Sequence, residues 1–117
     1  MFRHVALFRF HEAASMTRRT EFLAALARLP GQIPSIRQVS CGFDMGCQAG
    51  NRDAALILDF ADQAGFDAYK AHPAHLALVR DHVRAVVAET VRVQYPLLPA
   101  DSTLDGGHRR SEDESSL

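Results

Sequence analysis

The 117-residue sequence predicts an α+β protein: a ferredoxin-like βαββαβ protomer whose four-stranded antiparallel sheet carries its helices on one face. Two observations predict it. Segments of strand and helix periodicity follow one another in the order β-α-β-β-α-β. The first and third strands are apolar on both faces while the second and fourth alternate, and two-sided strands belong in the centre of a sheet.

The elements read as follows. His4 to Phe10 is a strand, with Ala6, Phe8 and Phe10 on one face and Val5 and Leu7 on the other. Ser15 or Thr17 caps a helix to about Leu29, whose stripe of Phe22, Ala25, Leu26 and Leu29 has helical spacing. Pro30-Gly31 is expected to end it. Ser35 to Phe43 is a second strand, placing Arg37, Val39, Cys41 and Phe43 opposite Ile36, Gln38 and Ser40. Residues 44–53, with Gly46, Gly50 and Asn51, are a loop. Ala54 to Phe60 is the third strand, with Leu56, Leu58 and Phe60 against Ala55 and Ile57. Asp62 caps a short helix through Ala71, and Pro73 opens another to about Val87, because a first helical turn tolerates a missing N–H. The last strand, about Glu89 to Tyr95, sets Val91, Val93 and Tyr95 against Thr90, Arg92 and Gln94.

An antiparallel sheet with helices on one side usually leaves its other face wet. Here that face carries Val5, Leu7, Ala55 and Ile57. The economical cover is the same face of a second copy, so a homodimer is expected.

Composition bounds the rest. Thirteen Lys and Arg stand against fourteen Asp and Glu, for a net charge of −1, which excludes a generally basic nucleic-acid binder. No apolar run is long enough to span a membrane, and charges at Arg3, Arg9 and Glu12 interrupt the N-terminal segment where a signal peptide would be continuous. Cys41 and Cys47 form no CxxC motif and no disulfide framework, which fits thiols in a reducing cytoplasm. Residues 1–97 are expected to form the domain. Residues 98–117 are expected to be a disordered acidic tail, since their composition buries too little apolar surface.

Six histidines are the chemically suggestive feature. His11 and His108 are expected to be solvated. His75, Val79, His82 and Val86 share one face at i, i+4, i+7 and i+11, and its valines direct that face at the sheet. His4 shares its strand face with Ala6, Phe8 and Phe10. His4, His75 and Tyr69 are therefore expected to converge on an apolar pocket lined by Ala6, Phe8, Leu26, Phe66, His72 and Val79. Imidazole suits acid/base work near neutrality, its ordinary pKa being about 6.5. His72, before Pro73, also reads as a helix cap. A metal set of His4, His72 and His75 is disfavoured because Pro73 breaks the spacing and no carboxylate or thiolate stands near. No glycine pattern fits a nucleotide loop, so neither metal nor cofactor is expected.

The segments His4-Val5-Ala6-Leu7-Phe8-Arg9-Phe10, Leu29-Pro30-Gly31-Gln32-Ile33-Pro34, Ala55-Leu56-Ile57-Leu58-Asp59-Phe60 and Ala68-Tyr69-Lys70-Ala71-His72-Pro73-Ala74-His75 resemble the stress-responsive dimeric α/β-barrel (Dabb) family over residues 2–96. The resemblance implies a dimeric barrel. A plant cyclase of that family closes a linear poly-β-ketone without a cofactor. Its histidine pair matches His4 and His75, one pocket tyrosine matches Tyr69, and a second falls near Leu26 here.

The first functional reading is a cofactor-independent lyase or cyclase acting on a β-keto small molecule. In it His75 takes a proton beside a carbonyl, His4 orients the carbonyl or returns the proton, and Tyr69 donates to the enolate. The alternative is a non-catalytic stress-response or small-ligand-binding protein. A third, an antibiotic-biosynthesis monooxygenase, is disfavoured because the chain has no Trp and its His-Pro-Ala-His segment fits the Dabb pattern better.

Overall fold

The computed structural model describes residues 1–98. The acidic tail expected over 98–117 lies, apart from Leu98, outside the described residues. The elements are β1 (Phe2–Phe10), α1 (Met16–Ala27), α2 (Leu29–Gln32), β2 (Ile36–Phe43), β3 (Ala54–Phe60), α3 (Gln63–Ala71), α4 (Pro73–Leu78), a π turn (Val79–Val83), α5 (Arg84–Val86) and β4 (Val87–Pro96). The sheet order is β2-β3-β1-β4, and all three pairings are antiparallel. The two strands with apolar residues on both faces are the central ones, as the sequence predicts.

The core lies between the sheet and the helices. Ala6, Phe8 and Phe10 of β1 and Leu56, Leu58 and Phe60 of β3 meet Phe22, Leu26 and Leu29, and all are buried. Ser15 caps α1 by accepting from the backbone N–H of Arg18 at 3.1 Å. Asp62 caps α3 by accepting from Gly65 at 3.0 Å.

Three expectations need correction. The first helix ends at Ala27, and Pro30 does not stop helical chain: it occupies the first turn of α2, where its missing N–H costs nothing. In β2 the simple alternation fails. Ile36 pairs with Phe60 and Gln38 with Asp59, so Arg37 is an extra residue, a β-bulge. The bulge puts Ile36 in the core beside the partly buried Val39 and Cys41 and leaves Arg37 exposed. The last helix is interrupted by the π turn and gives way to β4 at Val87, not Glu89. One inserted residue rotates everything after it by about 100°. The face begun by His75 and Val79 therefore continues at Val83. His82 turns instead into a separate groove with Arg28, Gln32 and Asp81.

The opposite sheet face is uncovered in the single chain. Leu7, Val91, Val93 and Tyr95 are exposed there by 38%, 42%, 53% and 40%, next to the half-buried Val5, Ala55 and Ile57. Arg3 lies on the same face and grips the Asp59 carboxylate with two hydrogen bonds, at 2.8 and 2.9 Å. That guanidinium holds the Asp59 carboxyl below the usual carboxylate range.

The start of β3 is tied to β1 by one residue, Asp53. The Asp53 carboxylate accepts from the Phe10 N–H at 2.8 Å, its own N–H donates to the Phe8 carbonyl at 2.7 Å, and its carbonyl accepts from Asp44 at 2.8 Å. β1 and β4 change register at this level, so the Phe10 donor depends on Asp53. Asp53→Ala is expected to cost about 1–3 kcal/mol in urea unfolding, the typical penalty for an abandoned buried donor. Asp53→Asn, which keeps an acceptor, is expected to cost less.

Candidate functional site

The site forms where the helix-facing row of β1 runs out of hydrocarbon. His4 follows Ala6, Phe8 and Phe10 in that row and is buried with them. Register pairs His4 with Gln94 and Ala6 with Arg92, so the polar parity of β4 faces the helices and the apolar parity faces away. The Gln94 amide Nε2 donates to His4 Nδ1 at 2.9 Å. With Nδ1 accepting, the ring proton of neutral His4 resides on Nε2.

The other half of the site comes from the α3–α4 junction. His72 ends α3 and caps α4, its Nδ1 accepting from the Ala74 N–H at 3.0 Å. Pro73 then opens α4 and brings His75 back over α3, where His75 Nδ1 lies 3.0 Å from the Lys70 carbonyl oxygen. A carbonyl only accepts, so His75 carries its proton on Nδ1 and keeps a lone pair on Nε2. The Tyr69 ring neighbours both imidazoles, with centroids 4.5 Å from His75 and 6.2 Å from His4.

These three side chains and Arg92 line two adjoining chambers. The inner one, about 110 Å³, is walled mainly by hydrocarbon from Ala6, Phe8, Phe22, Leu26, Leu56 and Val79. The outer one, about 410 Å³, adds Phe66, Lys70 and Gln94.

Burial controls the charge state. It pushes His4 down to about 4, helped by the positive Arg92 and by His75 and Lys70. It lowers His75 too, against the pull of the Lys70 carbonyl. It pushes the Tyr69 phenol up to about 12. At neutral pH the site thus offers a neutral N–H donor on His4, a basic nitrogen on His75 and a phenolic O–H.

His4, Tyr69 and His75, which the sequence predicts to converge, line both chambers. Ala6, Phe8, Leu26 and Val79 line the inner chamber and Phe66 the outer. His72 lines neither; its ring is engaged as the helix cap. Sequence reading missed Gln94, Arg92, Thr90 and Lys70. Alternation marks Thr90, Arg92 and Gln94 as one face of a strand but does not tell which way that face points. Among the described residues no three His, Cys, Asp or Glu side chains are grouped to hold a metal ion.

The depressed His4 makes stability depend on pH. Its folded value of about 4 lies below the ordinary 6.5, so the unfolded chain binds the proton more tightly. Stability is expected to fall as pH drops from 6.5 to 4, by at most about 3 kcal/mol from this group, with His75 adding a loss of the same sign. Urea unfolding at pH 7, 5.5 and 4 measures the slope, and His4→Phe is expected to flatten it.

The described chain contains no helix long and apolar enough to cross a membrane. No curated protein matches the chain. Solved structures do. A dimeric ferredoxin-like protein of unknown function from Thermobifida fusca is 35% identical, with a TM-score of 0.75 over 82% of this chain and 90% of its own. A hydroxynitrile lyase from Passiflora edulis is 19% identical, with a TM-score of 0.75 over 86% of this chain and 96% of its own. An antibiotic biosynthesis monooxygenase is 17% identical, with a TM-score of 0.67 over 85% of this chain and all of its own, 100%. At such identities the last two show a shared fold alone. The family model for the stress responsive A/B barrel domain matches residues 2–97, the four strands and every helix described above, and the chain is therefore a member of the Dabb family.

Proposed function

We propose that the protein is a homodimeric, cofactor-independent acid/base lyase or cyclase acting on a small β-keto compound. The observation that carries the reading is that two neutral imidazoles on one cavity are hydrogen-bonded into opposite tautomers. Gln94 sets His4 as an N–H donor, and the Lys70 carbonyl sets His75 as a lone-pair acceptor. Enolisation needs this pair. His75 Nε2 takes the proton from the carbon beside a carbonyl, and the C–H electron pair moves onto the carbonyl oxygen. The Nε2–H of His4 and the phenol of Tyr69 donate to the enolate oxygen that forms. In a cyclase the enolate carbon then bonds to a second carbonyl of the same molecule, and the His75 proton passes to the new alkoxide. In a lyase the same groups run that bond formation in reverse: His75 takes the hydroxyl proton, the carbon–carbon bond breaks to leave a carbonyl and an enolate, and the His75 proton passes to the enolate carbon. The Passiflora edulis neighbour is a lyase by name and lends this fold-level support only.

The dimer reading rests on the uncovered sheet face and on the dimeric Thermobifida fusca relative. A second copy seated on Leu7, Val91, Val93 and Tyr95 would bury that surface. Sedimentation at micromolar concentration is expected to give twice the 12.9 kDa chain mass. Val93→Asp is expected to give the monomer, because it would bury an unpaired carboxylate at the interface.

The catalytic reading is tested with a panel of β-keto substrates. His75→Ala and His4→Ala are each expected to lower kcat/KM by ~10²–10⁴-fold with the fold intact. The double variant is expected to lose less than the product of the two, since the groups act as a unit. Tyr69→Phe is expected to lose less than either. If no β-keto compound turns over while apolar ligands bind wild type and His75→Ala alike, the protein is a binding protein and the catalytic reading fails.

A further inference from the structure

The outer chamber contains two cations and, among the described residues, no carboxylate lines either chamber. Lys70 projects from the last turn of α3, and its Nζ lies 4.7 Å from the centre of the Phe66 ring. Its ion pair with Asp67 is 3.6 Å long between half-exposed side chains, a class of contact that contributes little. Arg92 comes from the opposite wall, next to Ala6 in the sheet, and forms no ion pair among the described residues. The histidines leave this charge in place, for burial keeps both of them neutral.

The chambers therefore differ in kind. The inner one is somewhat smaller than the ~150 Å³ apolar cavity that takes a benzene molecule, so it suits a short alkyl chain or a small ring. The outer one presents a guanidinium, an ammonium and the Gln94 amide. A neutral ligand would leave both of these cations without an anionic partner in the chamber.

We propose that the ligand is a carboxylate, seated between Arg92 and Lys70 in the outer chamber with its apolar end in the inner one. The proposal rests on the reading of this cavity as a small-molecule site and narrows the β-keto substrate to a β-keto acid. Arg92 supplies a planar fork that matches a carboxylate, and Lys70 a point charge on the other side. With the carboxylate held there, the chain runs past His4, Tyr69 and His75 on its way inward.

The test is titration calorimetry with hexanoate and hexanamide, probes of equal length that differ in charge and are inert to acid/base catalysis. At pH 7 and low salt hexanoate is expected to bind at least about tenfold tighter, the scale of a charge-assisted hydrogen bond. Arg92→Gln and Lys70→Gln are each expected to remove most of that preference, hexanoate affinity falling far more than hexanamide affinity. Both side chains are exposed, so melting temperatures are expected to match wild type and certify the fold. Added salt is expected to weaken hexanoate alone. Equal affinity for the two probes, an unchanged ratio in both variants, or no binding of hexanoate overturns the carboxylate site. These outcomes are separable from the acid/base reading. Charge preference without His75-dependent turnover leaves the carboxylate site standing and removes the enzyme. His75-dependent turnover without charge preference does the reverse.

Discussion

The helix-facing row of β1 is the constraint on which the rest depends. Strand alternation puts His4, Ala6, Phe8 and Phe10 on one line, and the helices close over all four. Fully burying a phenylalanine contributes roughly 1.5–3 kcal/mol, so Phe8 and Phe10, with Phe22 above them, outweigh the desolvation of one imidazole. His4 is thereby carried into the interior by its neighbours. Burial strips it of its proton, and Gln94 offsets part of the cost by donating to its Nδ1. Small Ala6 leaves room beside it, and that room is the inner chamber.

The second half of the site depends on a break in helical regularity. A continuous helix from Asp62 to Val87 would carry His75 along one axis. The cap at His72 and the proline after it restart the helix, so that the His75 ring lies tilted against Tyr69 and finds the Lys70 carbonyl. The π turn a few residues on then keeps Val83 against the chamber and sends His82 elsewhere. Both irregularities serve the same place, in line with the frequency of π turns at functional sites.

The two faces of the sheet carry separate tasks. One holds the core and the cavity. The other combines an apolar surface from β1, β3 and β4 with the forked Arg3–Asp59 pair. β4 serves both, because its register with β1 turns Val91 and Val93 outward and Arg92 and Gln94 inward. The cavity thus owes its polar wall to the strand whose apolar residues serve the opposite face.

Pattern alone determined the architecture: element order, the central position of the two-sided strands, the apolar open face, and the convergence of His4, Tyr69 and His75. These follow from local periodicity and turn chemistry, which each segment carries within itself. Tertiary structure decided what depends on register between segments distant in sequence. The bulge at Arg37 reversed the face of Ile36, the π turn redirected His82, and capping took His72 away from the cavity. Above all, the pairing of β1 with β4 turned Gln94 and Arg92 toward the histidines. A strand of alternating residues has two equivalent ways to face, and only its hydrogen-bonded neighbour selects one of them.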